Sequence, residues 1–424
     1  MTRAPLDPSL VAPAVRDADL EALAERFGTP LFLYDEDELR RRCRAYVAAF
    51  GAERVAYAAK AFLCTAMARL VADEGLHLDV ATGGELHVAR HAGFRPARLV
   101  VHGNNKSDDE LDAALQAGAG RIVADSSHEL DRLERHSAAL GVTPTVLVRT
   151  TPGVEAHTHE YIETGTEDSK FGFTVSDGIA RDAARRVIAS PSLHFGGLHC
   201  HIGSQIQRLD PWAHAVAALA AVADELDAPV PELSLGGGLG ARYLADDPPL
   251  EIDDYALALR AAVHDHWPAR LPAPRLLVEP GRSIAAPCAV TLYRVGTVKE
   301  IPGIGTYVAV DGGMSDNPRP VLYGAGYEAY LPGRIGEERP LRCRIVGKHC
   351  EQGDVIVADA ALPAGVQPGE LLATPATGAY GYSMASNYNK VPRPAVVFLR
   401  GGEPRVVVRR ETFDDLVRLD VVGD

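Results

Sequence analysis

At 424 residues the chain is longer than one ordinary core requires, so two domains are expected. Its 43 basic and 57 acidic residues leave a net charge of −14, which argues against nucleic acid or an anionic membrane as partner. The opening Met1-Thr-Arg-Ala-Pro lacks the apolar core of a signal peptide, and no run reaches the length of a membrane span. Cys43, Cys64, Cys200, Cys288, Cys343 and Cys350 form no CxxC pair, which fits reduced thiols in a soluble, cytoplasmic protein.

Residues 1–30 form an N-terminal segment for which packing on the C-terminal domain is one option. From there eight short β-rich runs recur, most separated by a helical pattern: 54–58, 77–81, 98–102, 121–125, 145–149, 197–202, 232–235 and 275–279. Strands alternating with helices imply a parallel sheet, and eight such units imply a closed (β/α)8 TIM-type barrel over residues 31–285. The 228 residues from Val55 to Arg282 suit the ~250 typical of that barrel. A doubly wound open sheet is the alternative, but it seldom needs eight units. Beyond 286 the runs 289–301, 306–310, 341–346, 354–357, 370–374, 394–399 and 405–410 alternate or are apolar between Gly/Pro turns. They predict an antiparallel β domain over residues 286–424.

Polar residues gather at the C-terminal ends of the eight barrel runs, where such barrels do their chemistry. They are Lys60, the turn Ala81-Thr-Gly-Gly84, His102-Gly-Asn-Asn105, Asp125-Ser-Ser127, Arg149, His201, Gly236-Gly237-Gly238 and Glu279. Lys60 ends an apolar run, and a partly desolvated amine there suits a Schiff base with a carbonyl cofactor. Most strand-end lysines only solubilise, so Lys60 draws its weight from its neighbours. The three glycines after the seventh run, with Gly281 and Arg282 after the eighth, suit a phosphate site. Glu279 could keep a pyridine nitrogen protonated, and His201 could stack on the ring. His157 and His159 lack a third ligand, so no metal is expected and a mobile loop is the better reading.

Together these segments carry a resemblance. Tyr57-Ala-Ala-Lys60, Asp79-Val-Ala-Thr-Gly-Gly-Glu85, Ser169-Lys-Phe-Gly172, His201-Ile-Gly-Ser204, Gly236-Gly-Gly238 and Glu279-Pro-Gly-Arg282 are similar to the alanine-racemase-fold decarboxylases that use pyridoxal 5'-phosphate. Asp311-Gly-Gly-Met-Ser-Asp-Asn-Pro-Arg319, Gly347-Lys-His-Cys350-Glu351-Gln-Gly-Asp354 and Gly378-Ala-Tyr380 through Asn389 resemble the diaminopimelate decarboxylases within that group. The match runs in order from about residue 28 to 400.

The resemblance implies Lys60 as the Schiff-base lysine, His201 against the ring, and Asp79 close by. It implies Ser204, Gly237, Gly238 and the Glu279–Gly281–Arg282 segment around the phosphate and the pyridinium. Arg282, Arg319 and Tyr323 would bind substrate carboxylates, and Tyr380 would touch cofactor and substrate. Cys350, as proton donor, and Glu351, reading a distal ammonium, would come from the partner chain of a homodimer. The expected activity is decarboxylation of meso-2,6-diaminopimelate to L-lysine and CO2. A related decarboxylase acting on ornithine, arginine, a carboxylated polyamine or a carrier-bound amino acid is the alternative. A non-catalytic cofactor-binding protein is a more distant one. Arg319 separates the first two, because a distal carboxylate needs a fixed cation and a bare distal amine would be repelled by one.

Overall fold

The structure is a computed structural model that describes residues 4–154 and 169–421; His157 and His159 lie outside them. In chain order the first strands are β1 (Leu31–Asp35), β2 (Ala56–Ala58), β3 (His77–Val80), β4 (Leu99–Val101), β5 (Arg121–Ala124), β6 (Thr145–Thr151) and β7 (Phe173–Thr174). Then come β8 (His194–His199), β9 (Glu232–Ser234), β10 (Arg275–Leu277), β11 (Ala289–Ile301) and β12 (Gly305–Val310). The last are β13 (Leu341–Val346), β14 (Val355–Leu362), β15 (Leu371–Pro375), β16 (Ala395–Arg400) and β17 (Glu403–Val408).

Residues 42–240 and 250–281 form one compact unit. Its sheet runs β2-β3-β4-β5-β6-β8-β9-β10, every neighbouring pair parallel, with β7 beside β6. A parallel bridge between Val55 and Val278 joins the two ends, sealed by Ala56 N–H to Val278 O and Val278 N–H to Arg54 O, both 2.9 Å. The expected barrel is therefore present. The strands read as short, wholly buried runs because helices cover the outside while side chains fill the inside.

Helix starts are encoded at the strand exits that carry the polar residues. Thr82 caps the helix Gly83–His91, Ser126 caps Ser127–Leu140, and Ser107 with Glu110 closes a full capping box on Asp108–Ala117. Gly197 adopts φ +141°, and a Cβ there would lie 1.9 Å from the Glu232 carbonyl oxygen, so only glycine lets β8 approach β9.

Two buried ion pairs tie this unit together. Arg121 of β5 forks onto Glu232 of β9 at 2.6 and 2.7 Å, linking non-adjacent strands. Lys106 is inserted beside Glu129 at 2.6 Å and also donates to the carbonyls of Gly103 and Val123 at 2.8 and 2.7 Å. Burial draws the Lys106 pKa below the ordinary lysine range, with Glu129 pulling the other way.

Residues 1–41, 241–249 and 282–424 form the other unit. Its sheet has the order β14-β13-β12-β11-β1-β16-β17, with β15 also on β11. The expected antiparallel domain is present: most of its pairs are antiparallel, and two are parallel, β1 with β16 and β12 with β13. The cause is connectivity: β1 arrives from a distant stretch of chain, and the long 311–340 connection permits a parallel return. Leu6, Leu10, Val15 and Leu23 of the N-terminal segment share one apolar cluster with Leu31, Val290, Leu371 and Val397. Among the described residues no helix is long and apolar enough to cross a membrane.

Removing Glu129 would strand the Lys106 charge in the interior. Glu129→Ala should lower the unfolding free energy in urea by about 3–5 kcal/mol. The volume-keeping pair Lys106→Met with Glu129→Leu should lose much less. Equal losses would mean that packing, not charge pairing, holds this part of the barrel.

Candidate active site

Lys60 sits on a single 3-10 turn, Ala59–Ala61, directly after β2. Ala59 and Ala61 are buried, whereas Lys60 is exposed and makes no hydrogen bond or ion pair among the described residues. The expected partial desolvation of its amine is not found in the isolated chain, because this alternation turns the side chain out of the packing. Its charge still reaches Asp79, Glu85 and His201.

Glu279 follows β10 and is 7 % exposed. Its Oε2 lies 3.0 Å from His199 Nε2, and its Oε1 accepts from Ser234 Oγ at 3.0 Å. His102 Nε2 is 3.3 Å from Glu279 Oε1 and 3.8 Å from Asp79 Oδ1 but is aligned for a hydrogen bond with neither. The two imidazoles meet at 4.9 Å with an interplanar angle of 63°. Burial alone would raise the Glu279 pKa, but His199 and His102 more than offset it and hold the carboxyl well below its usual range. Asp79 responds the other way: burial pushes it up to about 6, with His102 pulling it down.

The ligand atoms of His102, His199 and Glu279 fall within 4.8 Å of one another, a spacing a metal could use. Both Glu279 oxygens, however, are already engaged by Ser234 and His199. Hydrogen bonding accounts for the His199–Glu279 part of the cluster.

Half-buried His201 accepts from Gly237 N–H at Nδ1, 3.2 Å away. Burial and the Lys60 charge hold the His201 pKa well below the ordinary value, so its ring is neutral. The loops after β8 and β9 are stitched together by Ile206 N–H to Gly238 O at 2.9 Å and Gly240 N–H to Ile206 O at 3.0 Å. Gly238 has φ +111°, and a Cβ there would sit 2.7 Å from Gly203 O; one on Gly237 would sit 2.4 Å from Glu279 O. Side-chain-free backbone is thus required where Ser204 stands nearby in sequence. Gly281 packs its Cα face onto Ala58 and Ala61, whose Cβ atoms would be 3.0 Å from an added one.

The remaining expected residues lie in the other unit. Arg282 donates to Tyr243 Oη at 2.7 Å and lies over the Tyr380 ring at 4.7 Å. Tyr380 holds a left-handed φ of +59°, an uncommon conformation for a bulky residue. Arg319 begins the helix Arg319–Tyr323 and is 4 % exposed, with its guanidinium 4.3 Å from the Tyr243 ring centroid and 5.3 Å from that of Tyr327. It donates to Tyr327 Oη, its Nε is unpartnered, and no carboxylate pairs with it among the described residues. Tyr323 is half-buried at the other end of that helix.

Cys350 and Glu351 are exposed neighbours on one tight turn. Asp354 organises it by accepting from Met314 N–H, His349 N–H and His349 Nδ1 at 2.6, 2.8 and 2.9 Å. Asn389 accepts the Cys350 N–H at 2.9 Å, and Tyr388 Oη reaches Glu351 at 3.4 Å.

Residues 36–286 match the family model for the pyridoxal-binding domain of pyridoxal-dependent decarboxylases. Over 416 residues the chain is 52 % identical to diaminopimelate decarboxylase of Mycobacterium tuberculosis, covering 95 % of this chain and 93 % of that one. This chain belongs to the diaminopimelate decarboxylase family. The Bacillus subtilis diaminopimelate decarboxylase is 46 % identical over 418 residues, with 94 % and 93 % covered. The crystal structure of the Helicobacter pylori diaminopimelate decarboxylase complexed with L-lysine superposes with a TM-score of 0.87 at 32 % identity, covering 95 % and 99 %.

The residues present fit the cofactor that this family's domain binds. A glycine cradle admits no Cβ, an ionised carboxylate faces inward, and the buried His102 Nε2 has no aligned protein partner. The sequence places His102 at the catalytic face but assigns it no role, and it does not single out His199, Ser234, Tyr243 and Tyr327. His199 and Ser234 carried a faint signal, each lying two residues before a chosen position, His201 or Gly236. Tyr243 and Tyr327 carried none, because they meet Arg319 only through folding.

Proposed function

We propose that this chain decarboxylates meso-2,6-diaminopimelate to L-lysine and CO2 with pyridoxal 5'-phosphate. The observation that carries the substrate choice is Arg319, a buried guanidinium with an open Nε and no carboxylate partner among the described residues. A buried cation calls for an anion, and a distal substrate carboxylate supplies one where a bare diamine precursor does not.

Bound pyridoxal phosphate supplies an electron sink for the pair released with CO2. Lys60 holds the cofactor, its unpaired amine suited to that bond. His201, neutral, would lie against the ring without adding charge. Ser204, Gly237, Gly238, Gly281 and Arg282 would hold the phosphate, Glu279 would serve the ring nitrogen, and Asp79 and Tyr380 would complete the surround. Arg282, Arg319 and Tyr323 bind substrate carboxylates, which orients the bond to be broken.

Cys350, contributed by the partner chain of a homodimer, delivers a proton to the substrate α-carbon, and Glu351 beside it takes the distal ammonium. Support for these two roles is the exposure of both side chains on a turn whose backbone is held by Asp354 and Asn389. None of the six cysteines forms a disulfide, which favours a reducing compartment such as the cytoplasm. Separating cells into cytoplasmic and extracytoplasmic fractions, with the protein then found outside the cytoplasm, would refute that location.

A hydrogen bond to a charged group is worth about 1.5–3 kcal/mol, so Arg319→Ala should cut kcat/KM for diaminopimelate by roughly one to two orders of magnitude. A slow substrate lacking the distal carboxylate should lose far less. Equal losses on both would make Arg319 a support of the fold.

The shared site has its own test. Lys60→Ala and Cys350→Ala chains, each nearly inactive, are unfolded together in equal amounts and refolded. Random pairing makes half the dimers mixed with one intact site each, so about a quarter of wild-type activity should return. No recovery from verified mixed dimers would contradict the shared site.

A further inference from the structure

Glu279 is held from two strands at once. His199 at the end of β8 takes Oε2 at 3.0 Å, and Ser234 at the end of β9 donates to Oε1 at 3.0 Å. With each oxygen fixed from a different direction, the carboxylate plane has one allowed rotation. Thr150 Oγ1 donates to the His199 backbone carbonyl at 2.9 Å, anchoring the strand end that carries the imidazole.

The other nitrogen of His199 is informative. His199 is 1 % exposed, and its Nδ1 has no hydrogen-bond partner among the described residues. A proton there would be a buried donor with nowhere to go, which is more costly than a bare lone pair on a ring that already donates through Nε2. The tautomer of a histidine is set by the bond its nitrogens make; here that bond places the proton on Nε2.

A donor of this kind differs from a lysine or arginine in the same place. It orients the carboxylate while leaving its charge unspent. We propose that His199, as the Nε2–H tautomer, is a positioning residue for the decarboxylation: with Ser234 it fixes Glu279 in one orientation and keeps its charge for the protonated ring nitrogen of pyridoxal phosphate. The inference rests on the proposed function for its cofactor but not for its substrate.

The test compares His199→Ala, His199→Gln and Ser234→Ala holoenzymes with wild type, each shown by thermal melting to be folded. Glutamine keeps an N–H where the imidazole had one. His199→Ala should lose about ten- to a hundredfold in kcat with KM nearly unchanged, and should release pyridoxal phosphate faster and shift its absorption band. His199→Gln should recover most of all three, and Ser234→Ala should reproduce the alanine defect in weaker form. In parallel, 15N-histidine spectra, assigned by the signal missing from His199→Gln, should show a proton on Nε2 alone.

Equal defects in folded His199→Ala and His199→Gln, or no change in kcat and spectrum, would overturn the proposal. So would a His199 ring with protons on both nitrogens. Should His199→Ala not fold, wild-type spectrum and kcat in Ser234→Ala would overturn it too. A wild-type protein that binds no pyridoxal phosphate would instead refute the proposed function, while the histidine spectra would still report the tautomer.

Discussion

Keeping one buried carboxylate ionised is the constraint around which the upper end of the barrel is arranged. Glu279 lies where burial penalises charge, and no arginine or lysine pairs with it among the described residues. Its charge survives beside two hydrogen-bond partners from separate strand exits, His199 and Ser234, with the His102 imidazole 3.3 Å away. The two acids part company: burial pushes Asp79 up to about 6, whereas the histidines outweigh burial at Glu279 and hold it down. Two carboxyls driven apart in this way is a pattern expected of a site with chemistry to perform.

The second unit solves a related problem with the opposite charge. Arg319 is buried against the faces of Tyr243 and Tyr327, which stand at 82° to one another, and Arg282 lies over Tyr380. Aromatic faces ease the burial of a guanidinium without consuming its donors. Arg319, held this way with no carboxylate partner among the described residues, stays available to one, and an arginine salt-bridged to glutamate would not. Each unit thus presents charge that its own packing orients but does not neutralise.

Much of this was legible in the sequence. The alternation of short apolar runs with helical stretches gave the barrel, because strands covered by helices must read apolar on both faces. Placing Lys60, His201, the glycine triplet and Glu279 at run ends identified one face of that barrel, and the motif resemblance supplied the cofactor. What the sequence did not carry was contact between distant positions. β1 joins the other sheet because Leu31–Asp35 finds β11 and β16, an encounter that local pattern cannot encode. Local pattern likewise does not encode the exposure of Lys60, since a three-residue turn decides which way its side chain faces.

The most direct measurement is borohydride reduction of the purified holoenzyme, followed by peptide mapping of the fixed cofactor. Expected is a protein that absorbs in the visible, loses that band on reduction and carries the pyridoxyl group on the peptide containing Lys60 alone. Cofactor fixed to a different lysine, or to none, would contradict the central claim that the barrel's strand ends form a pyridoxal phosphate site around Lys60.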